Sequence, residues 1–266
     1  MAIQPFFALS TDAYFVKRVH RAGITQTYAY TPNPTRCKTI GVPDGSIDIQ
    51  FDFYKDDVRA KVMGPVPSHD VLETEPGHFY FGVRFDPGVL PPFIDGKFKD
   101  FLAQVIPLDD CMRDRKLEAQ LMQSRFTGLR ADLLIRAMEN HIEEEKDREQ
   151  NLLVDAIIQG IVQSKGCIRM DDLADHLQYS TRYIDKAFSR RMGISPKQFS
   201  QAIRFQYTLS QLTHGHSVKM VDLAQTCGYY DQSQMTRYFK AATSLTPKKY
   251  RDHIVNSHYE SKFINC

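Results

Sequence analysis

The chain twice places arginine, lysine and glutamine side chains along one side of a segment with helical periodicity. One segment follows Ser180 and the other follows Asp231. Arginine and glutamine can each form paired hydrogen bonds with the edge of a base, and cationic side chains bind phosphate. The predicted contacts to bases involve Arg182, Asp185, Lys186, Gln232, Ser233, Gln234, Thr236 and Arg237. The predicted contacts to phosphates involve Thr181, Ser189, Arg190, Arg191, Lys197, Lys240, Lys248 and Lys249.

A pair of short helices would position the first of these segments. Asp171 or Asp172 can cap the first helix, in which Ala174 leaves room for a close helix crossing. The turn QYS follows, and Ser180 can cap the second helix. Two short helices joined by a tight turn, the second with a polar and basic outer face, are typical of a helix-turn-helix. We therefore predict a recognition helix over about 180–191; an ordinary solvated helix face is the alternative.

The second segment repeats this pattern. Ala224 lies on its first helix, and Gly228 supplies the positive φ that the turn needs. Asp231 or Ser233 can then cap a helix that we predict over about 231–241. Two such units in tandem are a much stronger indication of a helix-turn-helix than either unit alone.

A longer helix is predicted between the two units. Ser195 can cap it, Pro196 suits its first position, and Gly215 lies near its end. A helix over 196–213 would be about 27 Å long. This length could hold two recognition helices roughly one turn of DNA apart, about 34 Å.

These residues resemble the DNA-binding domain of the AraC/XylS family of bacterial transcription regulators. The resemblance covers residues 150–254, and Met235 and Ser244 depart from it, because the family usually has an aromatic residue and a glycine there. The structural positions of the motif are Ala174, Phe188, Pro196, Ala224, Gly228, Phe239 and Pro247. The resemblance implies promoter DNA as a double-stranded partner, RNA polymerase as a candidate partner, and a cytoplasmic, nucleoid-associated protein.

The first 110 residues have a different character. They contain 11 of the 13 prolines, and SIDIQFDFY and HFYFGVRFD alternate apolar and polar residues as half-buried strands do. We predict a β-rich domain over 1–110, a sandwich or a small barrel. The stretches VPDGSIDIQFDF and FGVRFDPG are similar to cupin-like regulatory domains of some AraC/XylS members, which implies a small-molecule effector with unassigned binding residues.

A helical connector is predicted over 111–149, because apolar residues from Leu117 to Ile142 recur at helical spacing. Gly128 is the expected break, and the charged EEEKDREQ is a solvated helix end or a linker. The apolar stripe either packs on the β-rich domain or forms a homodimer seam. The predicted fold class is α+β multidomain, with a β-rich cupin-like N-terminal domain, this connector, an all-α domain of two helix-turn-helix units joined by a long helix, and a tail over 255–266.

Charge and cysteine usage agree with this organisation. Residues 1–110 carry 11 Lys and Arg against 14 Asp and Glu, whereas residues 151–266 carry 15 against 9. A basic C-terminal part favours a polyanionic partner. Five scattered cysteines without a C-x-x-C pair are typical of reduced thiols, and we expect no signal peptide and no membrane partner.

Two other classes of protein are alternatives to a regulator. A cupin-type metal enzyme or small-molecule binding protein with a helical interaction tail would use His69 and His78, but the sequence lacks the cluster of two histidines and a carboxylate. His214 and His216 are expected to be solvated loop residues. A DNA-repair methyltransferase would need a zinc-binding cysteine cluster. We therefore expect no catalytic residue, no metal and no cofactor.

Overall fold

The computed structural model of the chain describes residues 4–35, 38–140, 148–214 and 218–265. Its strands are β1 Thr11–Arg21, β2 Ile24–Pro32, β3 Lys38–Gly41, β4 Asp48–Tyr54, β5 Asp57–Met63, β6 Asp70–Glu73, β7 Phe79–Phe85, β8 Val105–Pro107 and β9 Phe263–Asn265. Its α-helices are α1 Pro5–Leu9, α2 Leu108–Cys111, α3 Arg115–Gln123, α4 Thr127–Glu139, α5 Arg148–Gln163, α6 Met170–Leu177, α7 Thr181–Met192, α8 Pro196–His214, α9 Met220–Thr226, α10 Gln232–Thr243 and α11 Pro247–Asn256. The predicted change from a β-rich to a helical part is confirmed.

Seven strands form one sheet in the order β8-β5-β4-β7-β2-β1-β9, and β3 pairs with β6 in a second, two-stranded sheet. The two alternating segments of the sequence become the adjacent antiparallel strands β4 and β7. Ile49 lies opposite Val83 on β7 and opposite Val62 on β5. All three side chains are fully buried, so the centre of the sheet is held by their packing.

The prediction that β4 and β7 are half-buried is wrong. The apolar face of β4 is buried as expected, with Ile49 and Phe51 at 0% exposure, but Asp48 and Gln50 on its other face are also buried. The polar face of β7 is buried too. Asp48 accepts two hydrogen bonds from Arg84 and one from the hydroxyl of Tyr28. A buried polar residue is tolerated when its hydrogen bonds are made inside the protein, and that is the case here.

Over its described residues 112–140, the connector forms two helices, α3 and α4, that pack on the apolar face of the sheet. The chain breaks at Ser124–Phe126, and Gly128 lies inside α4, so its prediction as the break is wrong. Asp114 caps α3 by accepting from the backbone N–H of Leu117 at 2.9 Å. The guanidinium of Arg130 is fully buried over the rings of Phe51 and Phe53, 5.2 and 4.7 Å from their centres. Ile142 lies outside the described residues.

The β-rich part and the helical part share their hydrophobic core. Phe51 of β4 and Ile157 of α5 belong to one cluster of buried residues, and Tyr30 of β2 and Phe239 of α10 belong to another. The final strand β9 returns to the sheet and pairs in parallel with β1. Within the described ranges, none of the helices is both long and apolar enough to span a bilayer.

Candidate nucleic-acid interface

The first helix-turn-helix unit consists of α6, a short turn and α7. The helix α6 buries Leu173 and Ala174, at 2% and 3% exposure, against its neighbours. The turn reverses the chain through Gln178, whose φ of 58° is left-handed. Ser180 then caps α7 by accepting from the backbone N–H of Tyr183 at 3.2 Å, as predicted. The predicted aspartate cap of α6 is wrong: the helix begins at Met170, so the two aspartates lie in its first turn, where they face its positive end.

The helix α7 has a buried side and an exposed side, and the two agree with the sequence pattern. Ile184 and Phe188 are buried, at 2% and 0% exposure. The predicted base-contact residues of this unit, Arg182, Asp185 and Lys186, are exposed. They follow one another on the first two turns of α7. In a helix-turn-helix this end of the recognition helix is the part that reaches base edges.

The second unit, α9 to α10, has the same construction. Gly228 has a φ of 72° in the turn, as predicted. Asp231, and not Ser233, caps α10, accepting from the backbone N–H of Gln234 at 2.6 Å. Met235 and Phe239 are fully buried on the inner side of α10.

The outer side of α10 carries the remaining predicted base-contact residues. Gln232, Ser233 and Arg237 are exposed, and Thr236 is half-buried. Gln234 is exposed too, but its side-chain oxygen accepts from the backbone N–H of Tyr230 at 2.9 Å. That oxygen helps to fix the start of the helix, and the amide nitrogen of Gln234 can donate to an outside partner.

The helix α8 joins the two units as one continuous element. It has 19 residues and is therefore about 28 Å long. Ser195 accepts from the backbone N–H of Gln198, whose side chain accepts in return from the backbone N–H of Ser195. This reciprocal capping box fixes the start of the helix. Phe199, Phe205 and Leu209 are fully buried along it, so α8 is the core of both units.

Comparison with known proteins agrees with this construction. A family profile described as a helix-turn-helix domain matches residues 173–253. Over 86 residues the chain is 29% identical to the HTH-type transcriptional regulator Rv1931c of Mycobacterium tuberculosis. The matched segment covers 32% of this chain and 33% of that protein. Over 84 residues it is 27% identical to the uncharacterized HTH-type transcriptional regulator YtdP of Bacillus subtilis, covering 32% and 11%. The matches thus span at most about a third of either relative. Residues 173–253 form an AraC-type helix-turn-helix domain.

Two solved structures and one further profile complete the comparison. A Chromobacterium violaceum regulator described by its AraC-type DNA-binding domain has 16% identity and a TM-score of 0.36, covering 40% of this chain and 96% of that one. ToxT from Vibrio cholerae O395 has 10% identity and a TM-score of 0.41, covering 91% and 96%. With identities of 16% and 10% and TM-scores below 0.5, these two similarities give no information about function. Residues 14–107 match a profile described as a domain of unknown function, DUF6597.

The predicted phosphate-contact residues of the helix-turn-helix domain are mostly on its surface. Ser189 is half-buried, and the exposed ones are Thr181, Arg190, Lys197, Lys240, Lys248 and Lys249. Arg191 is different, because its guanidinium lies 2.8 Å from the carboxylate of Asp155 and donates to the backbone carbonyl of Asn151 at 3.1 Å. Those partners are both on α5, so Arg191 holds α7 against α5.

Three exposed tyrosines stand at the starts of the recognition helices, and the sequence patterns did not single them out. Tyr179 and Tyr183 flank the start of α7 with their rings stacked, 5.3 Å between centres. Tyr230 directly precedes the cap of α10 and is 91% exposed. The sequence does carry a signal for two of these tyrosines. Tyr179 and Tyr230 each directly precede an N-cap residue, a position that does not have to face the core.

The β-rich part contains a buried charged centre on the face of the sheet opposite the connector. Arg84 donates to Asp48 through Nε at 2.8 Å and through Nη2 at 2.7 Å, and its Nη1 lies 3.5 Å from Asp44. Burial acts to lower the pKa of Arg84, but the two carboxylates outweigh it and keep that pKa well above its ordinary value. Burial raises the pKa of Asp44, and the Arg84 charge opposes this shift.

The histidines considered as metal ligands have other partners. His78 lies 2.6 Å from Asp52 and 3.2 Å from Glu75. His69 contacts α10, and His214 contacts the carbonyl of Ser210 one turn earlier at 2.9 Å. Among the described residues, no group of three His, Cys, Asp or Glu side chains is placed to hold a metal ion. His216 lies outside the described residues.

Proposed function

We propose that the protein is a transcription regulator that binds double-stranded promoter DNA in a sequence-specific manner, in the cytoplasm and at the nucleoid. The helices α7 and α10 enter two successive major grooves of one duplex. The observation that carries this proposal is the repeated construction of the two units. Each buries its apolar side, exposes a polar side at the start of its second helix, and is tied to the other through α8.

Within this proposal the exposed residues of α7 and α10 divide the work of reading bases. Arg182 and Arg237 donate to guanine, and Gln232 forms paired hydrogen bonds with adenine. Lys186 donates to guanine or to a phosphate. Asp185 accepts from the amino group of cytosine. Ser233, Thr236 and the amide nitrogen of Gln234 make the remaining contacts to base edges.

The basic side chains around the two units hold the duplex in register. Those at the surface neutralise phosphates and contribute affinity without sequence preference. They are Arg190, Lys197, Lys240, Lys248 and Lys249, with the hydroxyls of Thr181 and Ser189 as neutral donors. Arg191 does not belong to this set, because its guanidinium pairs with the carboxylate of Asp155 at 2.8 Å.

The β-rich part has a regulatory role in this proposal. A small-molecule effector acting there would reach the DNA-binding part through the shared hydrophobic core.

The connector offers a homodimer contact, because Phe126 and Leu129 of this region are 73% and 47% exposed. Cross-linking the full chain and its Phe126→Ser variant tests this contact; equal cross-linking of both would rule it out. RNA polymerase is the expected protein partner at the promoter.

A duplex-binding assay with two variants of the full chain tests the proposed function. Arg237→Ala should weaken binding to the preferred duplex by about 1–3 kcal/mol and relax the base preference at one position. Lys248→Ala should weaken binding to all duplexes alike and lower the salt slope by about 1. Arg18→Ala, at an exposed arginine of β1 outside the proposed dimer contact, is the matched control.

The two outcomes of this assay are clearly separated. The proposal requires that Arg237→Ala and Lys248→Ala behave differently from each other and from the control. It fails if the full chain binds no duplex at low salt, or if Arg237→Ala lowers the affinity for every sequence by the same factor.

A further inference from the structure

The end of the second recognition helix is held by a histidine of the β-rich part. His69 lies in the loop between β5 and β6. Its Nδ1 is 2.8 Å from the carbonyl oxygen of Ala241 in the last turn of α10. Its Nε2 is 3.2 Å from the hydroxyl of Ser244, which ends that helix. Because a carbonyl only accepts, Nδ1 carries a proton and donates to Ala241. Nε2 and the Ser244 hydroxyl form the second hydrogen bond, in which the hydroxyl is the donor when the ring is neutral and the acceptor when the ring is charged.

Ser244 is a costly residue for this position, which indicates that its side chain has a role. Its φ of 62° is left-handed, a conformation in which glycine is favoured. The corresponding residue at the end of α7 is Gly193, with a φ of 74°. The second unit therefore accepts backbone strain at the residue that touches His69, and strain retained at one position is a pointer to function.

The first recognition helix is supported by the same part of the chain. A Cβ atom at Gly193 would lie 2.6 Å from the Lys99 side chain and 2.6 Å from that of Leu102, so the end of α7 is in close contact with the 3-10 helix Phe98–Phe101 and the residue after it. Gln206 of α8 also donates to the carbonyl of Pro43 at 2.7 Å. The β-rich part thus contacts both recognition helices at their C-terminal ends, away from the residues proposed to read bases.

We propose that His69 and Ser244 are positioning residues for DNA recognition: they fix α10 on the β-rich part, which thereby sets the spacing of α10 from α7. This inference rests on the proposed function. Its consequence is that the two contacts determine how strongly the protein prefers one separation of its two half-sites. They leave the contacts of each recognition helix with its own half-site unchanged.

The test measures a ratio of affinities with the full chain. One duplex carries both half-sites at the separation that the unmodified protein prefers. In a second duplex, one half-site is displaced by about half a helical turn, roughly 5 base pairs. Ser244→Gly removes the hydroxyl and also relieves the backbone strain, so its thermal unfolding midpoint should equal or exceed that of the unmodified protein. We expect Ser244→Gly, which loses one hydrogen bond, to lower the spacing preference about 2- to 10-fold. His69→Ala loses two hydrogen bonds and should lower the preference at least as much.

Two further variants separate positioning from stability. His69→Asn keeps one donor toward Ala241 and should restore part of the preference. Ser68 is exposed and adjacent to His69, and Ser68→Ala should show the same spacing preference as the unmodified protein. A merely destabilised variant loses active molecules for both duplexes alike and leaves their ratio unchanged. The inference is overturned if the unmodified protein prefers one spacing and Ser244→Gly and His69→Ala keep that preference in full. Failure of the unmodified protein to bind any duplex overturns this inference and the proposed function together.

Discussion

Two arginines show how surroundings decide what a residue can do. Arg237 is exposed on the outer side of α10, where its donors are available to a base. Arg84 is buried, at 4% exposure, and its donors are taken by Asp48 and Asp44. The first is suited to recognition and the second to stabilising the β-rich part, although the side chains are chemically identical.

Arg84→Met should destabilise the protein by about 3–5 kcal/mol at pH 7, because it leaves buried carboxylates without their cation. The loss of the charge raises the pKa of Asp44 further above its ordinary value. A carboxyl with a raised folded-state pKa favours folding when it is protonated, and that contribution is lost as the pH rises through the folded-state pKa. The difference between variant and unmodified protein should therefore shrink from pH 7 to pH 5, as measured by urea denaturation. A difference that grows on acidification would contradict this.

Tyr230→Ala should weaken duplex binding about 3- to 10-fold if the exposed ring contacts DNA at the start of α10. Tyr230→Phe distinguishes the two ways in which a tyrosine can do this. If the hydroxyl donates to a phosphate, the phenylalanine variant behaves as the alanine variant does. If the ring packs on a thymine methyl group, the phenylalanine variant binds normally and replacing thymine by deoxyuracil in the duplex weakens it. Unchanged binding of Tyr230→Ala would remove this residue from the interface.

The residue types near each N-cap were enough to predict the exposed face of both recognition helices, because helical spacing fixes which side chains share a side. They were not enough for Arg191. Its partner Asp155 is far away in the sequence, and only the packing of α7 on α5 brings the two charges to 2.8 Å. The tyrosines were missed for a related reason, since aromatic residues are usually counted as core until their exposure is known.

At the scale of elements, the two turns of the helix-turn-helix units depend on left-handed residues, and a pair of glycine substitutions tests this. Gly228→Ala should destabilise the protein by about 1–3 kcal/mol, because its φ is 72° and the new Cβ would lie 2.7 Å from the Cys167 sulfur. Gly128→Ala is the matched control inside α4, where nothing lies within 4 Å of the added atom. It should be neutral or stabilise by roughly 0.5 kcal/mol. Thermal unfolding of both variants provides the measurement, and equal effects would contradict the account.

Periodicity predicted the helices α7, α8 and α10 and the strands β4 and β7, because each buries one continuous side. It could not predict that the polar sides of β4 and β7 are buried as well. Alternation reports only that the two sides differ, and Asp48 is satisfied by residues of other strands, Arg84 and Tyr28. The return of β9 to the sheet was equally hidden, since a three-residue strand depends on its partner β1 for every hydrogen bond that orders it.

At the scale of the whole molecule, the helix-turn-helix domain does not stand apart from the β-rich part. The two hydrophobic clusters each combine residues from both, and Lys262 near the chain end donates to the carbonyl of Thr11 at 2.7 Å. Experiments on DNA binding are therefore best made with the full chain. The same shared core gives an effector in the β-rich part a physical route to the recognition helices.

Selection of bound duplexes from a random pool by the 266-residue chain tests the central claim most directly. If α7 and α10 read two successive major grooves, the enriched duplexes should carry two distinct motifs whose centres are about 10–10.5 base pairs apart. Arg237→Ala should blur one of these motifs and leave the other intact. A single motif, two motifs without a fixed separation, or no enrichment at all would contradict the claim.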